Sequence, residues 1–242
     1  MSIQGLAFTE TFHVQNKTWT AVDAYTQEHV HPSTAPNHAA LLDALRNSRD
    51  KGLPDIATAP TVAKMYALQC KAGKVRHALE FGTLGGYTSI WLATVNPGLR
   101  VTSLEIDAHH AAVARENLER AGVADRVAIR LGPALDTLPR LAEEIQSGAS
   151  PRLGFVYIDA DKQNNWTYLD RVIALCEPGA VIYVDNIVRG GRVVNPEYQN
   201  DPSALGARRV VEMAGKDDRV DSVVMQFVGE KGYDGMLMAV VR

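Results

Sequence analysis

Three groups of residues place charge or oxygen where an apolar run ends. The first is Asp159, Asp161 and Lys162, just past "GFVYID". The second is Asp185 with Asn186, which closes "AVIYVDN" 26 residues after Asp159. If these runs are neighbouring strands, Asp159, Asp185 and Asn186 converge at one sheet edge. Two carboxylates and an amide are hard oxygen ligands, which suit Mg²⁺, with Mn²⁺ or Ca²⁺ as alternatives, rather than zinc. Three protein ligands leave positions open for water or acceptor oxygens. The plain alternative is that Asp185-Asn186 simply starts a turn; Asp159 in register weighs against it. Lys162 reads either as a solvated loop lysine or as a general base, since a closed cleft and a dication disfavour a lysine's charged form. The chemistry would then be proton removal from one of two vicinal oxygens held by the cation, making that oxygen a nucleophile.

The third group is "EFGTLGG", with Gly82, Gly85 and Gly86 between an expected strand and helix. Glycines there let the backbone turn tightly and bring helix N–H groups toward a ligand. The spacing is not G-x-G-x-x-G, which argues against a nicotinamide-dependent oxidoreductase. Glu80, before the turn, would repel a pyrophosphate but could accept hydrogen bonds from an ammonium group. Glu105 ends the next strand, 19 residues after Gly86, where an acid can take both hydroxyls of a ribose. A nucleoside with a positively charged amino-acid tail fits both acids. S-adenosylmethionine is such a molecule. Any strand-to-helix turn can carry glycines, so the two acids decide this reading.

The elements that must position these groups follow from periodicity. Thr18–Val30, "NHAALLDALRNSRDKG" and "APTVAKMYALQCKAGK" read as helices, the second with Leu41, Leu42 and Leu45 on one face. From Val75 onward strands and helices alternate: "RHALEFG", "VTSLEI", "RVAIRLG", "GFVYID" and "AVIYVDN" as strands, "YTSIWLATV", "DAHHAAVARENLERAG" and "WTYLDRVIALC" as helices. The tail, "SVVMQFVG" and "GMLMAVV", reads as a closing hairpin. The fold class is therefore α/β, Rossmann-like, with a mostly parallel sheet and helices on both faces. Ligands bind beyond the carboxyl ends of such strands. No linker splits the chain, so residues 1–242 are expected to form one domain, with 1–55 as an N-terminal helical part.

Composition narrows the partners. Hydrophobic content of 46% and charged content of 22% are ordinary for a globular protein with a sizeable core. A net charge of −3 gives no reason to attract nucleic acid. No apolar run approaches the ~18 residues of a membrane span, and "MSIQGLAFTE" lacks a signal pattern. Cys70 and Cys176, far apart and each expected in an apolar helix, make neither a disulfide framework nor a zinc site, as in a cytoplasmic protein. There is no G-x-S-x-G elbow and no P-loop. His29, His31, His109 and His110 read as surface or helix-start residues, and Trp91 and Trp166 as core.

Taken together, "LEFGTLGGYTS", "LEID", "GPALDTLP", "DADKQN" and "VDN" resemble the cation-dependent class I O-methyltransferases, the group containing catechol and caffeoyl-CoA O-methyltransferases. The resemblance runs from about Ile56 to the C-terminus. It implies a seven-stranded sheet with an antiparallel last strand, a homodimer, and a phenolic small molecule as acceptor. It also implies roles by position. Gly82, Gly86 and Thr88 would contact the methionine end of S-adenosylmethionine, with Glu80 helping to hold it. Glu105 would hold the ribose, and Pro133 and Ala134 would lie against the adenine. Thr58, Asp159 and Asp161 would also line the donor pocket. Asp159, Asp185 and Asn186 would hold the cation, and Lys162 would be the catalytic base. The chain departs from the pattern at Asn165, where relatives carry an aromatic, and at Arg189, where plant members carry tryptophan. The segment 189–209 reads as a basic loop. A catalytically silent nucleotide-binding protein is the rival from another class, and intact Asp159, Lys162, Asp185 and Asn186 argue against it.

Overall fold

The computed structural model describes residues 16–242; the "MSIQGLAFTE" stretch weighed above lies outside them. Three helices come first among the described residues: α1 (Lys17–Val30), α2 (His38–Asp50) and α3 (Pro60–Ala72). Asn16 caps α1 by accepting the amides of Thr18 and Trp19. Pro60 opens α3, where the missing N–H costs nothing.

Alternation then begins with β1 (His77–Phe81), α4 (Tyr87–Val95), β2 (Arg100–Glu105), α5 (Ala108–Arg120), β3 (Val127–Leu131) and α6 (Ala134–Gln146). It continues with β4 (Leu153–Ile158), α7 (Asn165–Ile173), β5 (Cys176–Val184), α8 (Pro202–Ala214), β6 (Val220–Gly229) and β7 (Gly232–Val241). The strands form one seven-stranded sheet in the order β3-β2-β1-β4-β5-β7-β6. β1 to β5 pair in parallel, and β7 inserts antiparallel between β5 and β6. The expected sheet is therefore present, antiparallel last strand included.

β1 and β4 are buried along their whole length, as parallel strands covered on both faces must be. One face packs Tyr66, Trp91, Phe155 and Tyr157 beneath the N-terminal helices and α4. The other packs Leu141, Leu169 and Val210 beneath α6, α7 and α8. From β1 the chain steps outward to β2 and β3, then returns to β4 on the other side. That reversal opens a crevice past the carboxyl ends of β1 and β4, where a ligand is expected.

Four local readings need correction. Cys176 opens β5, paired with Leu153, and does not end the preceding helix as expected. Two helices were missed. α6 carries Pro139 in its interior, and α8 occupies the second half of the segment read as a loop, 189–209. His31 is half-buried with its ring 4.5 Å from that of Trp91, not a free surface residue.

Candidate active site

The sharp turn after β1 brings the glycine loop against the next strand pair. Gly82 has φ +91°, and a Cβ there would stand 2.6 Å from the Asp159 carbonyl oxygen, so only glycine fits without a backbone shift. Gly86 caps α4 with φ +78°, a left-handed conformation that favours glycine, and sits in van der Waals range of Ala114 on α5. Gly85 accommodates Ser48 of α2, whose hydroxyl would lie 2.1 Å from an added Cβ. Asn117 of α5 donates to the Gly85 carbonyl at 2.8 Å. The loop is thus clamped between α2 and α5.

Glu105, at the end of β2, holds this loop from the other side. One carboxylate oxygen accepts the Thr83 and Leu84 amides at 3.1 and 2.8 Å. The other accepts the Ile106 and Asp107 amides, both at 2.9 Å. Leu84 sits at φ +49°, a left-handed conformation that these contacts over-determine. Glu80 is buried beneath the loop, where Ser89 and Ser103 each donate to its Oε2 at 2.6 Å. Burial pushes its carboxyl up to about 7, against the opposing pull of the two hydroxyls.

Register explains the second cluster. Tyr157 of β4 lies opposite Tyr183 of β5. Carried two residues further on the same face, that register sets Asp159 beside Asp185. The Tyr157 hydroxyl lies 2.9 Å from Asp159 Oδ2 and 2.8 Å from Asp185 Oδ2, so the carboxylates stand within one hydroxyl's span. Lys162 Nζ donates to Asp159 Oδ1 at 2.5 Å. Asn186 adopts φ +55°, which asparagine tolerates, and donates its side-chain amide to Asp234 at 3.0 Å. Asp234 also accepts the Arg189 and Gly235 amides. Asp161 accepts from Tyr168 and Asn164.

All of this opens onto one cleft of about 1310 Å³. Of the expected site residues, Thr58, Gly82, Thr88, Glu105, Pro133, Ala134, Asp159, Asp161, Lys162, Asp185 and Asn186 line it. Glu80 and Gly86 do not reach its wall; they lie behind the loop. His110 lines it too, with Nδ1 3.8 Å from Glu105, whereas His109 is exposed and faces the Lys51 carbonyl. Trp91 is buried and Trp166 packs half-buried on the core, away from the cleft.

The donor chemistry of the acid pair fits a hard dication. Burial first, and then the neighbouring Asp159 charge, push the Asp185 carboxyl upward. Lys162 pairs with Asp159 directly, and Lys231 faces both carboxylates from the hairpin wall of the cleft. Among the described residues no three acidic, histidine or cysteine side chains cluster as a metal site; the set is two carboxylates and an amide.

Sequence reasoning missed Tyr157, Asp234 and the β6–β7 hairpin tip. Lys231 at that tip lines the cleft and donates to the Ala57 carbonyl, and burial lowers its pKa. Only the hairpin itself was visible in the sequence. Its insertion beside β5, which delivers Asp234 and Lys231, depends on long-range pairing.

Comparison with known proteins gives the family. A model of the O-methyltransferase family matches residues 31–240. The chain is 50% identical to the O-methyltransferase imqG of Aspergillus flavus, over 97% of this chain and 96% of that one. It is 46% identical to a catechol O-methyltransferase of Mycobacterium tuberculosis, covering 84% and 89% respectively. The crystal structure of an O-methyltransferase from Bacillus cereus in complex with SAH superposes with a TM-score of 0.84 at 42% identity, covering 93% of this chain and 99% of that one. With that agreement in sequence and fold, this chain belongs to the class I S-adenosylmethionine-dependent O-methyltransferases.

Proposed function

We propose that the chain methylates one hydroxyl of a vicinal dihydroxy, catechol-type aromatic small molecule. The observation that carries this is the meeting of Asp159, Asp185, Asn186 and Lys162 at one end of a cleft whose other end is the glycine loop. The catechol O-methyltransferase among the relatives supports the acceptor class.

In this reading the donor lies along the ends of β1, β2 and β3. Gly82 and Thr88 meet its methionine end, with Thr58 and Asp161 alongside. Glu80 and Gly86 shape that end from behind. Glu105 faces the ribose with its carboxylate oriented by four amides, and Pro133 and Ala134 pack on the adenine. Asp159, Asp185 and Asn186 would hold a divalent cation, Mg²⁺ by preference. The chemistry supplied when a cation is bound is acidification of the acceptor hydroxyl and screening of charge on its oxygen. Lys162 takes the hydroxyl proton. The acceptor oxygen then attacks the sulfonium methyl in line; the new O–C bond forms as the C–S bond breaks. The cleft walls supply most of the rate by holding oxygen and methyl in attack geometry.

The N-terminal helices belong to the same domain in this reading, since Asp23, Leu45, Ser48 and Arg49 line the cleft. Exposed Val22, Tyr25 and Val30 on α1 support a homodimer, to be checked by light scattering. Two free, buried cysteines support a cytoplasmic setting. Among the described residues no helix is long and apolar enough to cross a membrane.

The test is transfer of labelled methyl from S-adenosylmethionine to a panel of catechols, with Mg²⁺ present or rigorously chelated. Transfer to catechols but not to monophenols, abolished by chelation and restored by Mg²⁺, is expected. Transfer that survives chelation would sink the cation role.

A further inference from the structure

Tyr157 is the residue on which the two halves of the cleft join. Its ring is buried in the core, with its centroid 4.6 Å from that of Tyr66. Its hydroxyl emerges beneath the cleft floor between Asp159 and Asp185. The same oxygen lies 3.1 Å from the Thr58 hydroxyl, which accepts from Thr88 of α4 at 3.0 Å. A consistent donor order runs through these groups: Thr88 to Thr58, Thr58 to Tyr157, and the single Tyr157 proton shared as a three-centre bond between Asp159 Oδ2 and Asp185 Oδ2.

We propose that Tyr157 is a positioning residue for the cation site: its hydroxyl, oriented by Thr58 and Thr88, fixes the Asp159 and Asp185 carboxylates side by side before a cation arrives. The proposal rests on the cation assignment above. The physical reason is that two adjacent carboxylates repel, and without a shared donor they would rotate apart toward other partners. A buried phenol anchored by ring packing supplies that donor with little freedom to lose. Partners that orient ligating carboxylates govern affinity through such preorganisation, commonly by a factor of about 10 to 100.

The experiment is Mn²⁺ titration of the SAH-loaded chain, read by electron paramagnetic resonance of free and bound Mn²⁺, for wild type, Tyr157→Phe, Thr58→Val and Asp185→Asn. Wild type is expected to bind one Mn²⁺ per chain, and Asp185→Asn to lose it. Tyr157→Phe keeps the ring in the core. It is expected to weaken Mn²⁺ about tenfold or more, with SAH affinity within about twofold of wild type. Thr58→Val leaves the Tyr157 ring and hydroxyl in place and guards against a folding defect in the phenylalanine variant. It is expected to weaken Mn²⁺ by a smaller factor in the same direction. Unchanged or tighter Mn²⁺ binding in Tyr157→Phe, with wild type and Asp185→Asn behaving as expected, overturns the positioning role and leaves the cation site standing. Wild type that binds no Mn²⁺, or Asp185→Asn that binds it normally, overturns the cation assignment and the proposal with it.

Discussion

Glu105 and the Asp159–Asp185 pair occupy equivalent places, each at the carboxyl end of a parallel strand, but they are satisfied differently. Glu105 accepts four backbone amides, two from the glycine loop and two from the start of α5. Its loop is wedged by Ser48 and Asn117 as well. Asp159 is held by the Tyr157 and Lys162 side chains. Asp185 has Tyr157 and the one amide of Asn186. The Glu105 end, the donor end of the proposed reading, is therefore complete as folded, because backbone donors come with the turn itself. The Asp159–Asp185 end, the acceptor end of the proposed reading, instead holds two like charges side by side through side chains alone, save the one Asn186 amide. In the proposed reading, a site built this way binds its donor before its cation and acceptor.

Removing the proposed base should separate the halves most sharply. Lys162→Ala is expected to lower kcat about 10²- to 10⁴-fold while SAH affinity, by calorimetry, stays within about twofold. A comparable loss of SAH affinity would show that Lys162 serves the donor end instead. A smaller break comes from behind the site. α8 packs on the turn bearing Lys162 at Gly206, where a Cβ would lie 2.0 Å from the Lys162 carbonyl oxygen. Gly206→Ala must push that turn, and a displacement of about 1 Å is enough to cost up to roughly 100-fold in kcat. Pre-steady-state transfer rates should fall while SAH binding is unchanged. Equal rates would mean that the turn is not held by α8.

The smallest effect probes the donor end through Glu80. Its carboxyl is pushed up to about 7 in the folded chain from an ordinary value of 4.5. Between those values the folded chain keeps a proton that the unfolded chain releases. The group's contribution to stability is therefore fully present at low pH and is lost as pH rises toward about 7. Glu80→Gln removes that loss. Its Tm relative to wild type should rise from about pH 4.5 to about pH 7 and level off above. A difference in Tm independent of pH would refute the raised carboxyl.

The same contrast explains what the sequence made legible. Asp159, Asp185, Asn186 and Glu105 announce themselves because each ends an apolar strand, and parallel pairing makes those ends meet. The glycines show because a strand-to-helix turn has few other ways to be written. Tyr157 hid because a tyrosine inside "GFVYID" reads as one more core residue, and its hydroxyl's partners appear only with the register of β4 and β5. Asp234 hid because it arrives on β7, inserted beside β5 against chain order. Pro139 and Gly206 disguised α6 and α8, since each weakens helical propensity where tertiary packing nonetheless enforces a helix. At Gly206 that packing demands the glycine.

The most direct measurement is calorimetric titration of 4-nitrocatechol, a vicinal diol, into the SAH-loaded chain with Mg²⁺ and again after chelation. Saturable binding with Mg²⁺ and none detectable without it, while SAH itself binds equally in both, is the predicted result. Catechol binding of equal affinity with and without Mg²⁺, or SAH binding that disappears on chelation, would contradict a donor end complete as folded and an acceptor end completed by its cation.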